Sequence, residues 1–442
     1  MTTFAIATLG CKVNTYESQG YESALVEQGY QQVSFKEQAD IYIINTCAVT
    51  NTASAKSRQK IHQAHQLNPD ALIVAIGCYV QSASDQVRSI DGVKVLIGSE
   101  GKANLVSLIK EAMQGHTPSN VMKDVRSISA FEALPIHKFE HQTRAFLKIQ
   151  DGCNQFCSYC IIPYARGAER SLDEEEVLKI ASNLVKNGHQ EIVLAGIHTG
   201  RYGNGTGRDL LDLLKRMCSE VEGLERIRIS SIEMNEISDA LIEFMKHETK
   251  IARHLHIPIQ SANNTVLKNM NRPYTIEWFQ QRIQYIREML PNVSISTDVI
   301  TGFPQESEED FADTLKNLKE LNFSFLHVFP YSKRDYTKAA DMKGHLDNKT
   351  KKERASILAQ LSKELYTAYK QSFIGKEVSV IFEKEVDQML FGHSSEYLEV
   401  YVEVQPGKAH THELHDVNIV SFQDDRLYAC LKEDSHEIIA NV

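Results

Sequence analysis

Short apolar runs separated by longer amphipathic stretches set the rhythm of the first 125 residues. FAIATLG, IYIINTC, LIVAIGC and KVLIGS are near-continuous hydrophobic segments of strand length, the pattern of parallel strands buried on both faces. Between them, ESQGYESALVEQG and SAKSRQKIHQAHQL repeat their apolar positions at helical spacing. Alternating strands and helices predict an α/β fold with a doubly wound parallel sheet over residues 1–125. Residues 126–142 lose this periodicity and carry Pro135, His137 and His141, which predicts a linker.

The same alternation resumes at 143. RAFLKIQ, EIVLAG, RIRISSI, HLHIPIQ, SISTDVI and SFLHVFPY are six strand candidates with helical patterns such as Leu172–Asn187 and Thr275–Leu290 between them. Six units are too few for a closed eight-unit barrel, so a partial (β/α)6 barrel is expected, with its chemistry at the C-terminal ends of the strands. A basic helical stretch, Lys349–Ser372, closes this segment at 372. From 375 to 442 the period drops to two in EVSVIFEKEV, LEVYVEV, VNIVSF and RLYACL, predicting a small antiparallel β-barrel.

Composition changes this picture in two places. No apolar run approaches the ~20 residues of a membrane span, and the N-terminus has no charge before Lys12, so neither membrane nor export is expected and the chain is placed in the cytoplasm. Eight cysteines in a reducing compartment are then thiols rather than disulfides. Net charge is −10, yet residues 333–376 hold 11 Lys/Arg against 5 Asp/Glu, while 377–442 hold 4 against 14. A basic stretch beside an acidic end is either a solvated helix face or a partner surface.

The cysteines carry the chemistry. Cys153, Cys157 and Cys160 stand in DGCNQFCSYC, just after the first barrel strand. Three thiolates at this spacing can hold one cubane 4Fe–4S cluster and leave its fourth iron open to a ligand. Zinc is the alternative, although it prefers four protein ligands in paired knuckles. Cys11, Cys47 and Cys78 each close an apolar run, in ATLGC, IINTC and AIGC. Ends of parallel strands lie along one edge, so three thiols distant in sequence can meet there as a second cluster site; otherwise they are three separate buried cysteines. Cys218 and Cys430 have no cysteine neighbour and read as packing residues.

TLGCKVNTYES, INTCAVT, AIGCYVQ, DGCNQFCSYCIIPYARG, HLHIPIQS, TDVITGFPQESEEDF and HVFPYS together resemble the radical S-adenosylmethionine (SAM) methylthiotransferase family. The resemblance implies an N-terminal methylthiotransferase domain, a radical SAM partial barrel and a C-terminal TRAM domain. It implies two 4Fe–4S clusters, one on Cys153, Cys157 and Cys160 that cleaves SAM, and an auxiliary one on Cys11, Cys47 and Cys78 where sulfur resides. No acid/base catalyst is implied. Family members modify isopentenyladenosine in tRNA, an aspartate of a ribosomal protein, or threonylcarbamoyladenosine in tRNA; TLGCKVN with GIHTGRYG is similar to the third, bacterial group.

By the same resemblance, Tyr159, Gly196, Glu233 and Gln260 are candidates for SAM binding, and Arg166 and Arg170 could meet phosphate or the SAM carboxylate. Ala195-Gly196-Ile197 lacks the acid of the family's Gly-Gly-Glu; Met234, QSAN at 260–263 and Gln305 are further departures. The expected partners are the anticodon stem-loop of tRNA and an electron donor such as flavodoxin or ferredoxin, acting on a monomer. Phosphates would be tracked by Lys333, Arg334, Lys349, Lys351, Lys352 and Arg354, since single-stranded loops are read by stacking while basic residues hold the backbone.

Overall fold

The computed structural model describes residues 1–116, 121–136, 138–139, 142–404 and 407–434. His137 and His141 of the expected linker lie outside the described residues. The first unit is a five-stranded parallel sheet in the order β2-β1-β3-β4-β5, from β1 (Thr3–Thr8), β2 (Gln31–Gln32), β3 (Ile41–Thr46), β4 (Leu72–Gly77) and β5 (Val93–Ile97). β3 and β4 are buried at every position, which is why their sequences run apolar without alternation. Tyr21 and Leu25 of helix Lys12–Glu27 pack on one face with Leu105 and Ile109, while Ile61 and Ala64 of helix Asn51–Leu67 cover the other. Helices on both faces make the sheet doubly wound.

The second unit comprises β6 (Ala145–Lys148), a two-strand ribbon of β7 (Gln150–Asp151) and β8 (Arg170–Ser171), then β9 (Glu191–Ala195), β10 (Arg226–Ile229), β11 (His254–His256), β12 (Ser294–Thr301) and β13 (Phe325–Pro330). Two parallel three-stranded sheets, β6-β9-β10 and β11-β12-β13, are joined by the parallel bridges Ile227–Ile251 and Ser231–His256. The six strands proposed from the pattern thus form one open parallel wall, with a large apolar core between it and the helices. The basic helix, Asn348–Gln371, packs along β13.

The C-terminal strands β14 (Glu377–Val386), β15 (Met389–Ser394), β16 (Glu399–Glu403), β17 (Leu414–Gln423) and β18 (Arg426–Leu431) close into a barrel in the order 14-15-16-18-17. It is not wholly antiparallel: β16 and β18 pair in parallel, and this pair completes the closure. Closure removes free strand edges and encloses Val380, Phe382, Val400, Val402 and Leu427.

An ion cluster fastens this barrel to the central wall. Glu191 is fully buried and receives Arg228 Nε at 2.8 Å and Arg226 Nη1 at 3.3 Å. Both guanidinium groups continue across the junction, Arg226 to Ser379 O at 2.8 Å and Arg228 to Ser394 O at 2.9 Å. Arg228, Arg226 and Arg144 hold the Glu191 carboxyl down at about 2 although burial alone would raise it.

Candidate active site

The loop after β7 carries Cys153, Cys157 and Cys160, and the short helix Ile162–Arg166 leaves it two residues later. Burial pushes the Cys160 thiol up to about 12, and the neighbouring sulfurs of Cys157 and Cys153 act in the same direction. Arg272 reaches Cys157 Sγ at 3.5 Å while gripping both oxygens of Glu233 and donating to Pro258 O at 2.8 Å. On the other side, His198 Nδ1 lies 3.5 Å from Cys153 Sγ, and its Nε2 is 2.8 Å from Glu236 Oε1. Both thiol and carboxylate favour the charged imidazolium, raising His198 to about 10 against the opposing effect of burial.

Cys11, Cys47 and Cys78 also share a space. The Cys47 thiol is pushed up to about 12 by burial, and Cys78 and Cys11 raise it further. Gly10 and Gly77, each immediately before a cysteine, have φ near +103° and +105°. A Cβ on Gly10 would stand 2.9 Å from Cys47 Sγ, and one on Gly77 would stand 2.9 Å from Thr46 O. Only glycine turns the chain sharply enough there, at a distance no side chain would tolerate. Asn14 secures the turn, donating to Leu9 O at 2.6 Å and Thr46 O at 3.1 Å.

Arg166 connects the two sets. It is fully buried, with Nε 3.1 Å from Cys78 Sγ, Nη1 3.0 Å from Glu17 Oε1 and 3.1 Å from Asp151 Oδ1, and Nη2 2.9 Å from Asn14 Oδ1. Lys102 and Lys148 also pair with Glu17, and Lys148 and Arg170 with Asp151. Arg166 and Arg170 are therefore buried and turned onto Glu17 and Asp151 rather than towards a phosphate or the SAM carboxylate.

Cys47, Cys78, Cys157 and Cys160, whose proton affinity burial raises, are poor thiolates alone and good ones around a cation, which deprotonates its thiol ligands. Each donor set therefore fits a metal cluster.

The remaining candidates divide. Tyr159 packs against a small apolar group of Val266, Met270, Phe303, Tyr331 and Ala339. Glu233 comes beside the loop trio through Arg272. Gly196 follows β9, where a Cβ would stand 3.2 Å from Gln150 Cβ. Gln260 adopts φ +68° and is fixed by two bonds to β12, accepting from Ile300 N at 2.8 Å and donating to Asp298 O at 2.9 Å. Gln305, where the family has glycine, also has a positive φ of 70°. His198, Glu236 and Arg272 were not proposed from sequence; their tie to the cysteines exists only in three dimensions.

The basic track is narrower than expected. Lys333, Lys349 and Lys352 are exposed. Lys351 is buried with its ammonium 5.3 Å from the centre of the Tyr331 ring, and Arg354 is buried on Glu306 and Glu308. Arg334 bonds Ser54 Oγ at 3.1 Å, lining with Arg58, Tyr79, Lys333 and Tyr336 a cleft of about 320 Å³ between the first unit and the barrel. Tyr79 and Ile161 of that lining adjoin Cys78 and Cys160.

A partial barrel with three cysteines in the loop after its first strand defines a radical SAM protein, and residues 147–318 match the model of the radical SAM superfamily. Residues 3–98 match a model described as uncharacterized protein family UPF0004. The chain is 44% identical to threonylcarbamoyladenosine tRNA methylthiotransferase MtaB of Bacillus subtilis over 90% of each chain, and 34% identical to its namesake from Thermotoga maritima over 97% of each. It is 34% identical to tRNA-2-methylthio-N(6)-dimethylallyladenosine synthase of Clostridium perfringens over 86% of each. The chain belongs to the radical SAM methylthiotransferase family. Among solved structures, the radical SAM methyltransferase TsrM from Kitasatospora setae shares the fold at TM-score 0.56 and 12% identity, covering 77% of each chain.

Proposed function

We propose that this enzyme converts N6-threonylcarbamoyladenosine beside the tRNA anticodon into its 2-methylthio derivative. The observation that supports the reading is the pair of three-cysteine sets, with Cys78 bonded by Arg166 at the end of the helix that leaves the loop trio, in a chain 44% identical to a relative named for that substrate. Cys153, Cys157 and Cys160 would hold one 4Fe–4S cluster, and Cys11, Cys47 and Cys78 a second. With SAM bound, these groups supply radical chemistry and a sulfur source, which a strong, non-acidic aromatic C–H bond requires.

The chain's own residues position this chemistry. Arg272, held on Glu233, fixes the Cys157 side of the loop, and the His198–Glu236 pair fixes the Cys153 side. Arg166 locks Cys78 against the helix that leaves the loop, setting one trio relative to the other. Arg58, Lys333 and Arg334, with Tyr79 and Tyr336, offer cations and rings to a single-stranded loop beside both trios. No helix among the described residues is long and apolar enough to cross a membrane. The enzyme would work as a monomer on electrons from a flavodoxin- or ferredoxin-like donor.

Mass spectrometry of tRNA nucleosides from a strain lacking the gene tests the substrate. Loss of 2-methylthio-threonylcarbamoyladenosine is expected. Loss of the isopentenyl derivative instead, or of a modified ribosomal-protein aspartate with tRNA intact, would reassign it.

A further inference from the structure

The barrel wall carries a polar cluster that neither cysteine set uses. Along β11, β12 and β13, Leu255, Ile257, Ile295 and Leu326 enter the apolar core. His256, Ser296, Asp298 and His327 take the opposite face, in register across the three strands. His256 Nε2 lies 3.2 Å from Asp298 Oδ1, and its Nδ1 lies 2.9 Å from Ser296 Oγ. The rings of His256 and His327 are 5.5 Å apart.

Asp298 and His327 remain partly open, and the His327 ring has no hydrogen-bond partner among the described residues. The donor atoms of His256, Asp298 and His327 lie within 4.8 Å of one another, a spacing that suits a divalent cation. Both nitrogens of His256 are already engaged, however, so an organic ligand fits better.

Lys12, the residue after Cys11, opens the helix Lys12–Glu27, which packs against β6 of the barrel wall. Its charge also lowers the proton affinity of His254, which burial depresses first, and that of His327. Its side chain likewise has no hydrogen-bond partner among the described residues. Beyond it stand the guanidinium groups of Arg228, Arg226 and Arg144 around Glu191, with Glu383 3.1 Å from Arg144. Three guanidinium groups and an ammonium outnumber the three carboxylates of Glu191, Glu383 and Asp298, which leaves this end of the barrel positive and suited to an anionic ligand.

We propose that His256, Asp298, His327 and Lys12 form the subsite for the N6 substituent of the target adenosine. That substituent is a threonylcarbamoyl arm with a carboxylate, a hydroxyl and a ureido N–H. Lys12 pairs with the carboxylate, Asp298 accepts the ureido N–H, and His327 bonds the hydroxyl. The assignment rests on the substrate reading above and deepens it. C2 and C6 of adenine flank the same ring nitrogen, so a group on N6 lies about one ring's width from the carbon that receives sulfur. A cation adjoining Cys11 is correspondingly placed to hold the arm while the base faces the trio of Cys11, Cys47 and Cys78.

The test uses holoenzyme with SAM and two anticodon stem-loop RNAs, one carrying threonylcarbamoyladenosine and one plain adenosine at the same position. Wild type should bind the modified RNA about ten- to a hundredfold more tightly, the range of hydrogen bonds to charged groups. Lys12→Gln and His327→Phe should each lose most of that preference, with wild-type circular dichroism and melting temperature reporting that each variant is folded. Converting the threonyl carboxylate to its methyl ester should reproduce the Lys12→Gln result on wild type. If both variants keep the full preference, the subsite assignment fails and the substrate stands. If wild type shows no preference, the substrate reading itself fails.

Discussion

Replacing Glu191 by Gln should uncouple the central wall from the C-terminal barrel in a pH-dependent way. Glu191 is the shared counter-ion of Arg226 and Arg228, both nearly inaccessible to solvent. Removing one member of such a group leaves buried charge uncompensated, at about 3–5 kcal/mol near neutral pH. Because Arg228, Arg226 and Arg144 depress the Glu191 carboxyl from an ordinary 4.5 to about 2, its stabilisation is complete above pH 4.5 and is lost as pH falls towards 2. By pH 3 wild type should have surrendered roughly 2 kcal/mol that the Gln variant never had, so the stability gap narrows by that amount. Urea unfolding at pH 6, 5, 4 and 3, followed by the fluorescence of the single tryptophan, Trp278, measures it. A gap that stayed constant or widened towards pH 3 would refute the account of Glu191 as a buried, ionised hub.

Three further outcomes follow from particular side chains. Gly77→Ala puts a methyl 2.9 Å from Thr46 O at a positive φ, costing about 1–3 kcal/mol, and should lower iron in reconstituted protein from about eight towards about four atoms per chain while SAM cleavage persists. Lys349→Glu with Lys352→Glu should weaken tRNA binding and flatten its salt dependence by about one unit of log–log slope for each phosphate no longer neutralised, as measured by filter binding. Lys351→Glu should instead lower the melting temperature in calorimetry, since its ammonium sits against Tyr331 rather than in solvent.

The units were legible because their strands are written in the local period: unbroken apolar runs for the two parallel sheets, alternation for the last barrel. The ends of β1, β3 and β4 were legible as a thiol edge because parallel strands finish together. What sequence concealed was pairing over long separations. Arg166 reads as a cation free to meet phosphate or the SAM carboxylate until Glu17, 149 positions earlier, is found against it. Lys351 and Arg354 look like part of a basic stripe because charge gives no sign of which helix face is covered. His198 escaped notice because its partners, Cys153 and Glu236, lie 45 residues before it and 38 after it.

Behind Cys78, four cations, Arg166, Lys102, Lys148 and Arg170, surround only two carboxylates, Glu17 and Asp151. Such a nest is electrically incomplete until negatively charged sulfur ligands fill the space in front of it. A cluster held by the trio of the first unit, as proposed, would thereby couple its own assembly to the docking of that sheet against the barrel. Chelating the metal should loosen the seam around Arg166, visible as faster amide exchange in Lys12–Glu27 and Ile162–Arg166, and refilling the site should restore protection.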